Sequence, residues 1–225
     1  MAQQFAVIGL GAFGNAIARE LTRHGGEVMA IDKEIEPVER IKDEVAYAVR
    51  LDATDPRVLQ EQEVHQVDVA VIAIGDPFES AVLIAVELMQ LGVKRLIVRA
   101  ETATQKRILE RLGISDVLLP EEEIARTLAQ RLINPQILDL FQLSDDYSIV
   151  EVRAPQRFWQ KAISELKIRE RFRCNVIAIK RPLNQEGEAL APEYRLLVPL
   201  SQTRLEEDDI LIVLGLAADI DKLTA

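Results

Sequence analysis

Three glycines near the start of the chain, Gly9, Gly11 and Gly14, have the spacing of a turn that holds phosphate groups. They follow the apolar run FAVIGLG and open a helical pattern, so a strand turns into a helix at this point. The first glycine permits a tight turn, the second lets the backbone approach a pyrophosphate, and the third lets the helix pack closely. The helix then points its free N–H groups and its positive dipole end at the phosphates.

Two acids follow the next apolar runs. Asp32 ends VMAID, 18 residues after Gly14, where an acid accepts hydrogen bonds from a ribose and repels a 2′-phosphate. The alternative is a turn that only packs the helix, with Asp32 serving as a cap for the next helix. Asp52, in RLDAT, either meets the adenosine half of a ligand or forms a turn or helix cap before DPRVLQ.

Gly75 and Arg99 end the fourth and fifth apolar runs, VIAIG and LIVRA. A guanidinium at a strand end beside phosphates makes charge-assisted hydrogen bonds. We therefore consider Arg99 a phosphate ligand, and the alternative is a surface salt bridge to a neighbouring glutamate.

The elements that must position these residues alternate regularly. Six short β-branched runs are interleaved with helical patterns at 12–24, 35–43, 55–63, 77–91, 103–112 and 121–133. This alternation predicts an α/β fold, a Rossmann-like doubly wound parallel sheet, with ligands bound outside the carboxyl ends of the strands.

The alternation stops at INPQILDLFQLSDDYS, where Asn134-Pro135 interrupts a helical pattern and a polar turn follows. We predict a nucleotide-binding domain at 1–143, with a crossover helix at 121–141. Residues 144–225 then form a small α+β C-terminal regulatory lobe. Such a lobe is near the lower size limit for independent stability, so we expect it to pair with another copy.

Composition excludes several classes of protein. The chain has 225 residues and a net charge of −10, which argues against nucleic acid or an anionic membrane surface as the main partner. One cysteine, Cys174, and two histidines provide no zinc-ligand spacing, and they fit a reducing cytoplasm. The longest apolar runs are about half the ~20 residues of a membrane span, so any role at a membrane is peripheral.

Catalytic groups are not evident in the sequence. His24 and His65 both fall before strands, at the sheet edge opposite the expected ligand. We therefore expect a binding protein and not an enzyme. Two other interpretations remain open: an NAD-dependent oxidoreductase with an unrecognised general acid, and a free-standing adenine-nucleotide binding module.

The acidic run PEEEIARTL also has two interpretations. Glu121, Glu122 and Glu123 complement the dipole of a helix that begins at Pro120. Alternatively, one of these carboxylates meets its symmetry mate and shares a divalent cation.

With these residues in place, the chain resembles the RCK (regulator of K⁺ conductance) family, the soluble gating subunits of Ktr/Trk-type potassium uptake systems. The likeness rests on FAVIGLGAFG, VMAID, LDAT, VIAIG, RLGISDVLLPE, LSDDYSIVEV and CNVIAIKR. It implies dimers within an octameric homo-oligomeric ring on the cytoplasmic face of a transmembrane potassium-translocating subunit. It also implies that ATP or ADP, and in some members NAD or NADH, changes the shape of the ring.

The resemblance also implies roles for particular positions. A divalent cation, Mg²⁺ or Ca²⁺, would bind Glu121 at a dimer contact, and cyclic di-AMP would bind Ile168, Arg169 and Asn175 in the C-terminal lobe. Close relatives often have Arg where this chain has Ala12, so we expect weaker discrimination between ATP and ADP. The nucleotide site implied by position comprises Gly9, Gly11, Ala12, Phe13, Gly14, Asp32, Lys33, Asp52, Ala53, Gly75 and Arg99.

Overall fold

A computed structural model describes residues 2–133, 136–144, 146–183 and 193–224. Contacts between residues divide the chain into one unit that runs through Glu123 and a second that begins at Ile124. Within the described residues, no helix is both long enough and apolar enough to cross a bilayer.

The first unit is built on a six-stranded parallel sheet, as the alternating pattern predicts. Its strand order is β3-β2-β1-β4-β5-β6, so the switch point lies between β1 and β4. The strands are β1 (Gln4–Ile8), β2 (Glu27–Asp32), β3 (Tyr47–Arg50), β4 (Val69–Ile72), β5 (Leu96–Arg99) and β6 (Asp116–Leu118). The helices between them are α1 (Ala12–Arg23), α2 (Ile35–Ile41), α3 (Pro56–Glu61), α4 (Phe78–Gln90) and α5 (Ala103–Arg111).

Helices cover both faces of this sheet, and β4 shows why its sequence is apolar throughout. All four of its residues are buried. Because successive side chains of a strand point to opposite faces, Val69 and Val71 pack into one hydrophobic cluster, and Ala70 and Ile72 pack into another. The two clusters fix the sheet, and the sheet fixes the positions of the loops at its carboxyl edge.

The predicted crossover helix at 121–141 is wrong in its second half. Helix α6 spans Pro120–Ile133, and ILDLFQ forms strand β7 (Ile137–Gln142), which pairs antiparallel with β8 (Tyr147–Arg153). A proline has no N–H and restricts the residue before it, so Pro135 disfavours continuation of the helix. The segment Ile137–Gln142 thus belongs to the second sheet and not to the first domain, so the predicted boundary at residue 143 is too late.

The second unit is an antiparallel sheet with small helices, the expected α+β lobe. Its strand order is β10-β9-β11-β8-β7. After β8, a 3₁₀ turn (Gln156–Phe158) precedes a short helix that ends where Lys167 takes a left-handed conformation. The remaining elements are α7 (Ile163–Leu166), α8 (Ile168–Phe172), β9 (Asn175–Pro182), β10 (Tyr194–Leu197), β11 (Ile210–Leu216) and α9 (Ala217–Thr224).

Candidate functional site

The glycine turn after β1 has the local geometry that its spacing predicts. Gly9 has a φ of +92°, and its N–H donates to the Ile31 carbonyl at 2.8 Å, which joins the turn to β2. A Cβ on Gly14 would lie 1.8 Å from the Gly9 carbonyl oxygen, so only glycine lets α1 begin this close to the turn. A Cβ on Gly11 would have no neighbour within 4 Å, so the backbone at Gly11 is open to close approach.

The amino end of α1 is suited to an anion. The helix starts at Ala12, and all of its residues are described. Its N-cap residue, Gly11, makes no side-chain hydrogen bond to the first N–H groups, and its first turn contains no acid. Backbone N–H groups at such an end have no intrahelical partners, and the helix dipole favours negative charge there. A phosphate group satisfies both conditions.

Asp32 lies beside this turn. Its Oδ2 accepts a hydrogen bond from the backbone N–H of Leu10 at 2.6 Å, and its Oδ1 accepts one from the N–H of Glu34 at 2.9 Å. A carboxylate oxygen can accept more than one hydrogen bond, so both oxygens retain capacity for ribose hydroxyls. The acid therefore orders the glycine turn and also faces the expected ligand. The next residue, Lys33, is exposed, and its carbonyl accepts from Arg50 Nε at 3.0 Å.

Asp52 forms a turn at the end of the neighbouring strand β3. Its Oδ1 accepts from the backbone N–H and the hydroxyl of Thr54 at 3.0 Å and 2.6 Å, and these hydrogen bonds hold the pKa of Asp52 below its ordinary value. Asp55, not Asp52, caps α3 by accepting from the N–H of Arg57. Asp52 is exposed and Ala53 is buried. Asp52 follows the end of β3, which runs parallel to β2, so it lies at the same sheet edge as Asp32.

Arg99 is held between the end of β5 and the start of α6. Its Nη2 donates to Glu121 Oε1 at 2.5 Å, and Glu101 Oε1 lies 3.5 Å from the same nitrogen. The side chain is 17% exposed. Within the described residues its Nε is buried and has no hydrogen-bond partner. The salt bridge considered as the alternative is therefore present, while one donor of the guanidinium group remains unused.

Arg99 also lies next to the glycine turn. Its Cζ is 6.0 Å from the ring centroid of Phe13, the second residue of α1. A Cβ on Gly75 would come 2.8 Å from Arg99 Nη1 and 2.2 Å from Glu101 Oε1. Glycine at this position thus leaves room for the arginine and its partner at the end of β4. The guanidinium group thus lies at the carboxyl edge of the sheet, close to the ends of the neighbouring strands β1 and β4, where the strand order reverses.

Glu101 is a glutamate next to Arg99 of the kind that the salt-bridge alternative requires, but sequence reasoning did not name it. Its position two residues after a strand-end arginine is a weak signal.

Glu121 begins α6, where the three acids fill the first turn as predicted. A hydrogen bond from its own backbone N–H, together with the guanidinium of Arg99, holds its pKa below the usual value. Across the described residues, no group of three or more His, Cys, Asp or Glu side chains is placed to hold a metal ion. Divalent cations take six or more oxygen ligands, so one carboxylate already paired with arginine does not fit a cation site within a single chain.

A groove in the second unit brings together the three residues predicted for a second ligand. Ile168, Arg169 and Asn175 line a cavity of about 560 Å³, and Arg169 Nη2 donates to Asn175 Oδ1 at 2.8 Å. Sequence reasoning missed Lys167 and Ser201, which also line this groove. Lys167 lies between α7 and α8, and Ser201 lies in the turn after β10. Pairing of the strands brings them together, and no local sequence motif indicates this.

The two histidines lie where the sequence predicts. His24 follows α1 and is largely exposed, and His65 lies in a 3₁₀ turn (Val64–Gln66) just before β4. Both precede strands of a parallel sheet, so they lie at the edge opposite the glycine turn.

The two parts of the chain match two domain families in order. Residues 5–120 match the TrkA-N domain, and residues 147–225 match the TrkA-C domain.

Named relatives match almost the entire chain. The Ktr system potassium uptake protein C of Bacillus subtilis (strain 168) is 32% identical, with 99% of this chain and 96% of that protein covered. The Ktr system potassium uptake protein A of the same strain is 31% identical, with 98% of this chain and 95% of that protein covered. The solved GsuK channel bound to NAD has a TM-score of 0.63 at 17% identity and covers 99% of this chain, which spans 39% of that longer one. The chain therefore belongs to the family of TrkA-N and TrkA-C (RCK) domain proteins, as the sequence motifs predict.

Proposed function

We propose that this chain is a nucleotide-sensing regulatory subunit that gates a membrane potassium-translocating protein. The observation that carries the proposal is the meeting of the open glycine turn, the Asp32 carboxylate and the Arg99 guanidinium at one sheet edge. Support also comes from the two relatives named as Ktr system potassium uptake proteins, which match at nearly full length.

The ligand of this edge is ATP or ADP in our proposal. The phosphates lie on the N–H groups of the glycine turn and α1, the ribose hydroxyls bind Asp32, and the adenosine half reaches Asp52. Arg99 takes the far end of the phosphate tail. NAD and NADH fit the same turn, and the structural neighbour GsuK was solved bound to NAD. Because Ala12 provides no guanidinium group, we expect this subunit to separate ATP from ADP only weakly.

Gating follows from a shift between two shapes of a homo-oligomer. A ligand moves such an equilibrium only by the difference between its affinities for the two shapes. In our proposal the chains form dimers within an octameric ring at the cytoplasmic face of the membrane, and the transmembrane subunit responds to the shape of the ring. The pocket binds a nucleotide and does not convert it.

A second ligand is proposed for the groove of the C-terminal lobe. Ile168, Arg169 and Asn175 provide an apolar wall, a cation and an amide, which suit a cyclic dinucleotide such as cyclic di-AMP. The hydrogen bond between Arg169 and Asn175 orients both groups before any ligand arrives.

Calorimetric titration with ATP, ADP, NAD⁺ and NADH tests the binding half of the proposal. Potassium uptake by cells that express the membrane subunit, with and without this chain, tests the gating half. We expect adenine nucleotides to bind and uptake to depend on the chain. Steady oxidation of NADH by the purified protein, or uptake that is unchanged by the chain, would contradict the proposal.

A further inference from the structure

Glu121 is paired with Arg99, whose guanidinium group the proposed nucleotide needs for its phosphate tail. Glu121 Oε1 accepts from Arg99 Nη2 at 2.5 Å, while the Arg99 Nε is buried without a partner in the described part of the chain. One face of the guanidinium is thus satisfied by a carboxylate, and another donor is left unused beside the end of β4.

The two partners differ in how firmly they are held. The Arg99 side chain is 17% exposed and lies against the Phe13 ring and the Gly75 backbone. The Glu121 side chain is 61% exposed, so it can leave the contact without disturbing any packing. Carboxylate and phosphate oxygens bind the same donors of a guanidinium group. A phosphate that reaches Arg99 must therefore replace Glu121 or share the arginine with it.

We propose that Glu121 competes with the terminal phosphates of the bound nucleotide for Arg99 and so sets how strongly the site prefers a long phosphate tail. The inference rests on the proposed nucleotide function. Adenosine, which has no phosphate, does not engage this competition. ADP and ATP must displace the Glu121 carboxylate from Arg99, so their net binding is weaker than it would be without this carboxylate.

The Glu121→Gln variant tests the competition directly. It removes the charge that competes for Arg99 and keeps the size of the side chain. The titrations use adenosine, AMP, ADP and ATP in EDTA, so that no metal contributes. We expect Glu121→Gln to tighten ADP and ATP by roughly twofold to fivefold, the range for an ion pair with one exposed partner, and to leave adenosine unchanged. Glu122→Gln is the matched control, since it removes the same charge from the same helical turn.

A second background separates competition from general repulsion. Arg99→Gln should weaken ADP and ATP, and adding Glu121→Gln to Arg99→Gln should then change nothing. If the double variant still tightens ADP, Glu121 merely repels phosphate and the inference is wrong. Glu121→Asp, which keeps the charge but withdraws it by one methylene, should also tighten ADP, and it replaces Glu121→Gln if that variant does not fold.

The failure of this inference is distinct from the failure of the proposed function. Wild-type protein that binds no adenine nucleotide would overturn both. Wild-type protein that binds ADP with the same affinity as Glu121→Gln would overturn only the competition and leave the nucleotide site in place.

Discussion

Asp32 and Leu10 are joined by a hydrogen bond of 2.6 Å from the backbone N–H of Leu10 to Asp32 Oδ2. This contact ties the end of β2 to the glycine turn after β1, so the acid that we propose for the ribose also holds the loop that we propose for the phosphates.

Asp32→Ala should weaken both stability and nucleotide binding. Loss of the acceptor leaves the Leu10 N–H without its partner, at a cost of about 1–3 kcal/mol in the free energy of unfolding. Urea denaturation measures the first effect, and titration with ADP measures the second. Glu34→Ala is the control, because its side chain is exposed and its backbone N–H still donates to Asp32. Unchanged affinity in Asp32→Ala would restrict this residue to a structural role.

Substitution by alanine should have different effects at Gly14 and Gly11: the first change should lower stability and the second should lower nucleotide affinity. Gly14→Ala places a methyl group 1.8 Å from the Gly9 carbonyl oxygen, which forces α1 away from the turn and should cost about 3 kcal/mol or more of stability. Gly11→Ala adds its methyl group in open space, so we expect a normal melting temperature and a large loss of ADP affinity. If Gly11→Ala binds ADP normally, no ligand approaches the backbone at this point.

The buried carboxylate of Asp209 in the second unit should make Arg181 important for stability. Asp209 is 0% exposed, and both of its oxygens accept from Arg181 at 2.8 Å. Arg181→Met leaves that charge buried with the N–H of Glu206 as its remaining described donor, at a cost of about 3 kcal/mol. Arg195→Met, on the facing and exposed position of β10, is the control. Equal unfolding midpoints for the two variants would contradict this account.

Because the thiol of Cys174 is buried, we expect the protein to lose stability at high pH. Burial raises the pKa of its thiol from 9.0 to about 11. A group whose pKa is raised by folding contributes stability below the unfolded value and loses it as pH rises towards the folded value. The free energy of unfolding should therefore fall between pH 9 and 11, by at most about 1.4 kcal/mol per pH unit.

Cys174→Ala isolates this effect, because alanine does not titrate. The variant is expected to be less stable at pH 8, where it leaves a small cavity, and to show a flatter decline above pH 9. Parallel pH profiles of the wild type and the variant would show that the thiol ionises equally in both states.

The sequence predicts the parallel sheet and the geometry of the glycine turn because these depend on local patterns. Runs such as VAVI specify strands that are buried on both faces, and the glycine spacing specifies the turn. The sequence pattern predicts a helix over ILDLFQ, where a strand forms, because this short apolar run fits both periods and only pairing with β8 decides between them. The partners of Arg99 were not predictable either. Parallel strands place Arg99 and Glu121 at one edge, but packing around Phe13 and Gly75 selects the contact.

Ala12→Arg should sharpen the distinction between ATP and ADP. Ala12 is exposed at the first position of α1, so an arginine fits there without repacking, and its guanidinium reaches the phosphate end of the site. A third phosphate then gains a charge-assisted contact that ADP lacks, and the ratio of the two dissociation constants should rise by roughly tenfold. Ala16→Arg is the matched control, since it adds the same charge at an exposed position one turn further from the glycine turn. If both variants raise the ratio equally, net charge and not a specific phosphate contact decides nucleotide preference, and Arg99 alone recognises the tail.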